Sequence, residues 1–225
     1  MKIEAVTVCV DYSHYLKKVI SNKNKLDRWV IVTHKSDKDT IKLCKKENIE
    51  FVLSKKIFKK AKFAKGKAIN EGLNILEKKD WILHLDADQL LPENFRDELN
   101  SRNLNKKNLY GSYRYSESGY KFGPVPVSWT IKGKTKIIRK SKSYYIPIGH
   151  FQLWHSCVCQ HYVENSKNTM SDDFKFVLSW RNPGESKKEF REKLIMLNLK
   201  LIDVCGFSGC LNGHRDGIRN MKNNA

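Results

Sequence analysis

Several things are scarce in this chain of 225 residues, and each scarcity closes off a class of protein. No stretch approaches the roughly 18 consecutive apolar residues that span a membrane. Residues 1–10 include Glu4 and have no cleavable apolar region, so the expectation is a soluble cytoplasmic protein of a bacterium or a virus-infected host cell. Cysteine is limited to six scattered residues, which fits reduced thiols better than a disulfide framework. No internal repeat and no linker divides the chain. Residues 1–225 read as one domain with halves 1–99 and 100–219 and a frayed tail, 220–225. Acidic residues are few, 24 against 43 Lys+Arg, and the formal charge of +19 should attract polyanions: nucleic acid, phosphorylated ligands, acidic glycans or anionic lipid. Arginine is scarce within that excess, 9 against 34 lysines, and with frequent Asn and Ile this is what AT-rich coding produces. Part of the charge is therefore solvated surface. What the chain does have is apolar material, 40% hydrophobic and 11% aromatic, enough for a core and too much for an intrinsically disordered chain.

The first ninety residues alternate apolar β-type runs with helix-period stretches, the pattern of a parallel sheet with crossover helices. Strands are predicted over 3–10, 29–33, 49–53 and 81–85, the last almost continuously apolar and so buried on both faces. Between them helices are predicted around Tyr15, Leu16, Val19 and Ile20, then behind an Asp39 cap with Ile41 and Leu43, then over 67–79 with Ile69, Leu73 and Leu76 on one face. Pro92 opens a short helix ending at Leu99. Residues 109–148 read as antiparallel strands and loops. Residues 171–180 and 186–204 read as helices, the second opened by a Ser186/Glu189 capping box with Phe190, Leu194, Leu197 and Leu201 along one side. In such a sheet the ligand site lies beyond the carboxyl ends of the strands, just after Val10, Thr33 and Leu85.

The sharpest motif, Asp86-Ala87-Asp88, follows the predicted central strand directly. Two carboxylates leaving a buried strand are not readily buried unpaired, and the ligand crevice is where they can be used. They match the hard-oxygen preference of Mn²⁺ or Mg²⁺, and such a cation would neutralise a diphosphate. The competing structural assignment is that Asp88 or Glu93 caps the helix near Pro92.

The stretch Trp81-Ile-Leu-His-Leu-Asp-Ala-Asp-Gln-Leu-Leu-Pro-Glu-Asn-Phe95 resembles the metal-binding segment of nucleotide-sugar-dependent glycosyltransferases of the GT-A fold, in their family-two-like branch. Upstream, Lys65-Gly66-Lys67-Ala68-Ile69-Asn70-Glu71-Gly72-Leu73 resembles the glycine-containing stretch that opens the helix before the metal strand. Downstream, Gly149-His150-Phe151-Gln152-Leu153 resembles the acceptor-side loop and Ser171-Asp172-Asp173-Phe174 the acidic catalytic motif. Asn212-Gly213-His214 sits where some members place a histidine in the metal shell. The acidic motif departs from the family in being Asp-Asp rather than Glu-Asp, and the usual helical tail for membrane association is not seen.

The resemblance implies an α/β fold of GT-A type: a Rossmann-like, mostly parallel sheet with an antiparallel acceptor-side half and C-terminal helices. It implies a metal-dependent hexosyl- or pentosyltransferase that moves a sugar, with inversion, from a nucleoside diphosphate sugar, a UDP-sugar being favoured, to an acceptor hydroxyl. Asp11, Asp37, Asp39, Lys65, Lys67 and Asp86 would serve the donor, with Asp11 near the base and Lys65 or Lys67 near the diphosphate. Asp86, Asp88 and His214 would hold Mn²⁺ or Mg²⁺; Phe151, Gln152 and Asp172 would face the acceptor; Asp173 would be the general base. If Asp173 only positions the acceptor, a retaining reaction is the outcome instead. Structural alternatives stay open for three of these: Asp11 as cap of the following helix, Asp173 as a helix-start residue behind a Ser171 cap, and His214 as a surface histidine.

Two segments carry positive charge with no acid inside them: 55–67, with seven lysines, and 121–142, with six lysines and Arg139. Phe58, Phe63, Phe122 and Trp129 interleave them. Basic grooves with stacking rings hold nucleic-acid strands. The resemblance, which extends to viral enzymes of this general type, then implies hydroxymethylated pyrimidine in DNA as an acceptor, with a surface glycan as the alternative. A solvated lysine face with core-facing aromatics fits the same pattern. A nucleotidyltransferase, which usually carries a Gly-Ser pair ahead of its aspartates, and a non-catalytic nucleic-acid-binding module are the competing classes. His155-Ser-Cys157-Val-Cys159-Gln-His161 alternates possible ligands, but on an extended strand they span about 20 Å, too far for one ion. Cys157, Cys159, Cys205 and Cys210 make a structural zinc site only if their segments meet. Oligomeric state is not indicated.

Overall fold

The computed structural model describes residues 1–58, 63–121, 146–147, 149–164 and 169–205. Strands β1 (Ile3–Val8), β2 (Arg28–Thr33), β3 (Glu50–Leu53) and β4 (Trp81–Leu85) form the expected parallel half. Helix α1 (Ser13–Lys18) with a 3₁₀ turn (Ile20–Lys25), then α2 (Lys38–Lys46), then α3 (Lys65–Leu73) connect them. The chain continues through β5 (Gln89–Leu90), α4 (Phe95–Asn100), β6 (Leu109–Ser116), β7 (Phe151–His155), α5 (Thr169–Leu178), α6 (Lys187–Glu192) and β8 (Leu194–Asp203). All these strands join one sheet in the order β3-β2-β1-β4-β7-β6-β8-β5, in which only β7 and β5 run against the rest.

Successive residues of a strand point to opposite faces, and here both faces are apolar, so the sheet is covered on both sides. On one face Ile3, Ala5, Trp29, Ile31, Leu83, Leu85 and Phe151 pack against Leu16 of α1, Cys44 of α2 and Phe95 of α4. On the other, Val6, Val8, Val30, Val32, Ile82 and Trp154 meet Ile69 and Leu73 of α3 and Phe176 of α5. Gly72 lets α3 lie close: a Cβ there would come 2.5 Å from Val6 Cγ1 and 2.7 Å from Val32 Cγ2. From β1 the chain builds outward through β2 and β3, then returns to pair β4 on the other side of β1. That reversal is the topological switch point, at the carboxyl ends of β1 and β4, where open α/β sheets place their ligands.

The element that departs from expectation is the predicted helix over 186–204. Its capping box forms, yet the helix ends at Glu192 and, after the Lys193 C-cap, the ten residues Leu194–Asp203 are β8. Leu194, Leu197 and Leu201 satisfy a helical spacing, but buried Leu197, Leu199 and Leu201 alternate with exposed Asn198 and Lys200, the strand period. Parallel pairing with β6, from Leu109 opposite Leu194 to Ser116 opposite Asp203, supplies the backbone partners that a helix would have supplied internally. Helix α3 starts at Lys65 and stops at Leu73, earlier at both ends than the predicted 67–79. The cap of α2 is Asp37, whose Oδ1 accepts the Thr40 N–H at 3.0 Å; Asp39 sits exposed in the first turn. Tyr12 rather than Asp11 occupies the N-cap position of α1, Asn94 rather than Asp88 or Glu93 that of α4, and Ser171 lies inside α5 rather than ahead of it. Of the strands expected in 109–148, β6 is present; 122–145 and 148 lie outside the described residues. No described helix is long and apolar enough to cross a membrane.

Candidate active site

Four segments deliver side chains to the carboxyl end of the parallel half: the exit of β4 with Asp86, the start of α3 with Lys65, the first turns of α5 with Asp172 and Asp173, and the turn before β7 with Gly149 and His150. They meet at Lys65. Its ammonium lies 2.7 Å from Asp86 Oδ1 and 3.6 Å from Asp173 Oδ2, and donates to the Gly149 carbonyl at 3.4 Å. The N-cap of α3 is Ala64, which has no side-chain acceptor, so the helix end is closed from outside: Gly66 N–H donates to Asp172 Oδ2 at 3.0 Å. Gly149 adopts φ +50°, and a Cβ there would collide with the Asp173 carboxylate.

A buried polar string backs Asp86. His84 Nε2 is 3.5 Å from Asp86 Oδ1, too long for a good hydrogen bond, and His84 Nδ1 is 2.9 Å from the Tyr162 hydroxyl. That hydroxyl donates to Gln152 Oε1, and Gln152 Nε2 donates to the Pro147 carbonyl at 2.9 Å. The Tyr162 ring stacks on Phe176 with centroids 4.1 Å apart. Burial, then the Lys65 charge, push the His84 imidazole down to about 3, so it is a neutral spacer.

Burial is the largest single influence on each charged group at this centre. It works against the Lys65 ammonium, but Asp173 and Asp86 together outweigh it and hold that group above its ordinary range. It works against the Asp86 carboxylate too, where nearby Lys65 wins and keeps the group below its usual value. Asp173 is farther from Lys65. Burial lifts it, Lys65 opposes, Asp86 and Asp172 add to the rise, and the carboxyl ends at about 7. Its Oδ1 is buried without a hydrogen-bond partner among the described residues. A carboxyl that titrates near neutrality and has an unused acceptor is suited to taking a proton.

Beyond Asp86 the chain reaches a second cluster. Ligand atoms of Asp88, Asp203 and Cys205 all lie within 4.8 Å of one another, the one such group of three among the described residues. Burial, then Asp86, then Asp203 raise the Asp88 carboxyl to about 6. A carboxylate held against its own charge preference beside a second carboxylate is what a divalent cation would relieve, so the donor set fits an ion. Asp203 and Cys205 were not among the residues expected here.

The other expected residues fall as follows. Asp11 stands exposed at φ +54° just past β1, its N–H donating to Asp37 Oδ2 at 2.8 Å. Asp37 is buried and both its oxygens are used inside the protein, by Thr40 and by Asp11 with Thr33, so it ties the end of β1 to the start of α2. Asp39 is exposed in the first turn of α2. Lys67 is half-buried, two residues into α3 from Lys65. Asp86, expected on the metal, is held by Lys65 and stands outside the Asp88 group. Phe151 is a core residue packed edge-on to Phe95, and Gln152 is enclosed with Tyr162, so neither side chain is open to an acceptor; β7 lies between β4 and β6 and both its faces are covered. Asp172 closes the α3 end as described. His214 and Cys210 lie outside the described residues, as does most of the basic segment 121–142. Cys157 and Cys159 are exposed beyond β7 and share no group of three with Cys205. Phe58 and Phe63 pack on the α3 side of the core, as the core-facing alternative holds.

No family model and no curated protein matches the chain. Solved structures do. A glucosyl-3-phosphoglycerate synthase from Mycobacterium tuberculosis, in complex with Mn²⁺, UDP-glucose and phosphoglyceric acid, superposes with a TM-score of 0.58 at 11% identity over 88% of this chain and 69% of that one. A protein described as mycobacterial gives 0.56 at 12% identity over 89% of this chain and 66% of that one. Against mannosyl-3-phosphoglycerate synthase from Rubrobacter xylanophilus the score is 0.40 at 14% identity, over 52% of this chain, which spans 42% of the length of that protein. At such identities the likeness is one of fold: the chain carries a mixed α/β, GT-A/Rossmann-like architecture.

Proposed function

We propose that this protein is a glycosyltransferase that moves a sugar from a nucleoside diphosphate sugar, with a UDP-sugar favoured, to an acceptor hydroxyl, and that it uses a divalent metal ion, Mn²⁺ or Mg²⁺ in the simplest case. The observation that carries the reading is the pairing, at one crevice, of a buried carboxyl at about 7 with an ammonium and, beyond them, a cation-fitting cluster. The fold it shares with a UDP-glucose-bound synthase supports it.

In this scheme Asp173 takes the proton of the acceptor hydroxyl through its unpartnered Oδ1. Lys65 offers positive charge to the diphosphate while keeping Asp86 ionised, and Asp88 stands among the metal ligands. A bound divalent cation supplies neutralisation of the charge that develops on the leaving diphosphate. A single general base facing the acceptor implies attack from the side opposite the leaving group, hence inversion. The +19 charge supports a polyanionic acceptor, with hydroxymethylated pyrimidine in DNA as the specific reading.

The test has three parts. Incubation with UDP-sugars should release nucleoside diphosphate, whereas pyrophosphate would make the protein a nucleotidyltransferase. Asp88→Asn should lose metal-dependent donor binding, and Asp173→Asn should lose turnover by about 10²–10⁴-fold with donor binding intact. Full activity in Asp173→Asn removes it as the base. Transfer of labelled sugar only to oligosaccharide, and not to hydroxymethyl-containing DNA, ends the DNA reading.

A further inference from the structure

We propose that Asp203 and Cys205 join Asp88 as direct ligands of the metal, and that this set of two carboxylates and one thiolate makes the centre prefer a borderline transition-metal ion, such as Co²⁺ or Zn²⁺, over Mg²⁺. The inference deepens the transferase reading and rests on it for the ion's task, but not for its ligands.

The cluster is built by backbone pairing. β5 pairs antiparallel with the end of β8, Gln89 opposite Asp203 and Leu90 opposite Ile202, and the Val204 N–H donates to the Asp88 carbonyl at 2.9 Å. This ladder holds Asp88 against the chain segment carrying Asp203 and Cys205. In a tetrahedral site with metal–oxygen bonds of about 2.1 Å and a metal–sulfur bond of about 2.3 Å, ligand atoms sit about 3.5 Å apart. The ligand atoms lie within 4.8 Å of one another, so binding an ion draws them closer together.

The surrounding groups are arranged as ligand supports. Arg114 Nη1 donates to Asp203 Oδ2 at 2.9 Å, the Cys205 N–H donates to Asp203 Oδ1 at 3.2 Å, and Gln89 Nε2 donates to Asp88 Oδ1 at 2.9 Å. An independent sign comes from that same amide. Gln89 is fully buried, and among the described residues its Oε1 has no hydrogen-bond partner, although it is on the amide whose nitrogen touches Asp88. A buried amide oxygen left unpartnered on a side chain whose nitrogen touches the cluster is a group that a cation-bound water would satisfy. Asp88 is partly exposed, which gives the ion an entry path, while Asp203 and Cys205 are buried.

Sulfur is what decides the metal. Two carboxylates alone suit Mg²⁺, but Mg²⁺ binds thiolate poorly, whereas Co²⁺ and Zn²⁺ accept it. Binding forms the metal–sulfur bond as the Cys205 S–H proton passes to solvent.

The experiment uses the full chain, stripped of metal and free of nucleotide, titrated with Co²⁺. The expected result is a thiolate-to-cobalt charge-transfer band in the near ultraviolet that survives a large excess of Mg²⁺, is absent in Cys205→Ser and persists in a Cys157→Ser/Cys159→Ser double variant. Asp203→Asn should keep the band but bind Co²⁺ about 10–100-fold more weakly, which provides a readout if Cys205→Ser does not fold. No band in the unmodified protein, a band that persists in Cys205→Ser, or displacement of Co²⁺ by an equal concentration of Mg²⁺ overturns the proposal. A cobalt band without turnover of any sugar nucleotide would leave this centre standing and remove the transferase reading. Turnover sustained by Mg²⁺ with no cobalt band would do the reverse.

Discussion

Replacing Lys65 by Met keeps the buried alkyl stem and removes the charge that holds the crevice together. In the native protein the ammonium is 2.7 Å from Asp86 and 3.6 Å from Asp173. Breaking a fully buried ion pair costs about 3–5 kcal/mol, because the surviving partner keeps its charge without compensation. Here the side chain of Asp86 is 30% exposed and can regain water, so the expected loss is smaller, about 2–3 kcal/mol at pH 8. For a chain of this size that corresponds to a fall in Tm of about 5–10 °C.

The sign with pH follows from Asp173. Its carboxyl is raised to about 7 from an ordinary 3.8, so the fold favours its protonated form, a contribution to stability that is fully present below the ordinary value and lost as pH rises through about 7. At pH 5 Asp173 is already neutral, and Lys65→Met strands only Asp86; the stability gap between variant and parent should therefore be narrower at pH 5 than at pH 8. Lys65 is also the largest influence pulling the Asp173 value down. Without it the Asp173 midpoint should move above about 7, and the rise of turnover with pH should move with it. Thermal unfolding at the two pH values, together with a carboxyl-carbon NMR titration of Asp173, measures both effects. An Asp173 midpoint at or below that of the parent, or a gap wider at pH 5, would refute the electrostatic account.

Three further outcomes are expected. Gly72→Ala drives a methyl to 2.5 Å from Val6 Cγ1, an overpacking that should lower stability by about 1–3 kcal/mol in urea unfolding and be partly relieved by Val6→Ala; an unchanged midpoint means that α3 does not seat there. Gly149→Ala combines φ +50° with a clash against Asp173, so turnover should fall through displacement of that carboxylate while donor affinity, read by calorimetry, holds; equal losses of both would point to general disruption of the crevice. Asp37→Ala removes the α2 cap and the acceptor for the Asp11 N–H and should cost about 2 kcal/mol, against less than about 0.5 kcal/mol for exposed Asp39→Ala, a contrast that fails if Asp39 is the cap after all.

The parallel half was legible because its strands are long apolar runs between helix-period stretches, and few other structures use such runs. Trp81–Leu85 is the clearest case: it reads as buried on both faces and is. The placement of Asp86 and Asp88 at its exit followed from the topology alone. Choices between near neighbours were not legible. Asp37 and Asp39 are both plausible caps for α2 by residue type, and what selects Asp37 is its reach to the Asp11 N–H and the Thr33 hydroxyl, contacts made only after β1 and β2 are side by side. Phe151 and Gln152 were placed on the acceptor side by resemblance, but β7 is enclosed by strands on both edges, and that covering is a property of the sheet order rather than of the five residues.

A single ambiguity accounts for both the misplaced element and the unexpected neighbours of Asp88. Leu194, Leu197 and Leu201 are compatible with a helix, and a helix through 186–204 would remove the strand edge that β5 pairs with, leaving Asp203 and Cys205 with no reason to approach Asp88. Once Leu197-Asn198-Leu199-Lys200-Leu201 is taken as a period-two pattern, the strand, its pairing with β6 and the arrival of its end beside Asp88 follow in turn. Asp203 is then accommodated at 1% exposure beside another carboxylate, with Arg114 and the Cys205 N–H donating to it. Buried carboxylates are paired or coordinate metals, so the period of five residues far from the Asp86-Ala87-Asp88 motif decides which side chains stand beside Asp88.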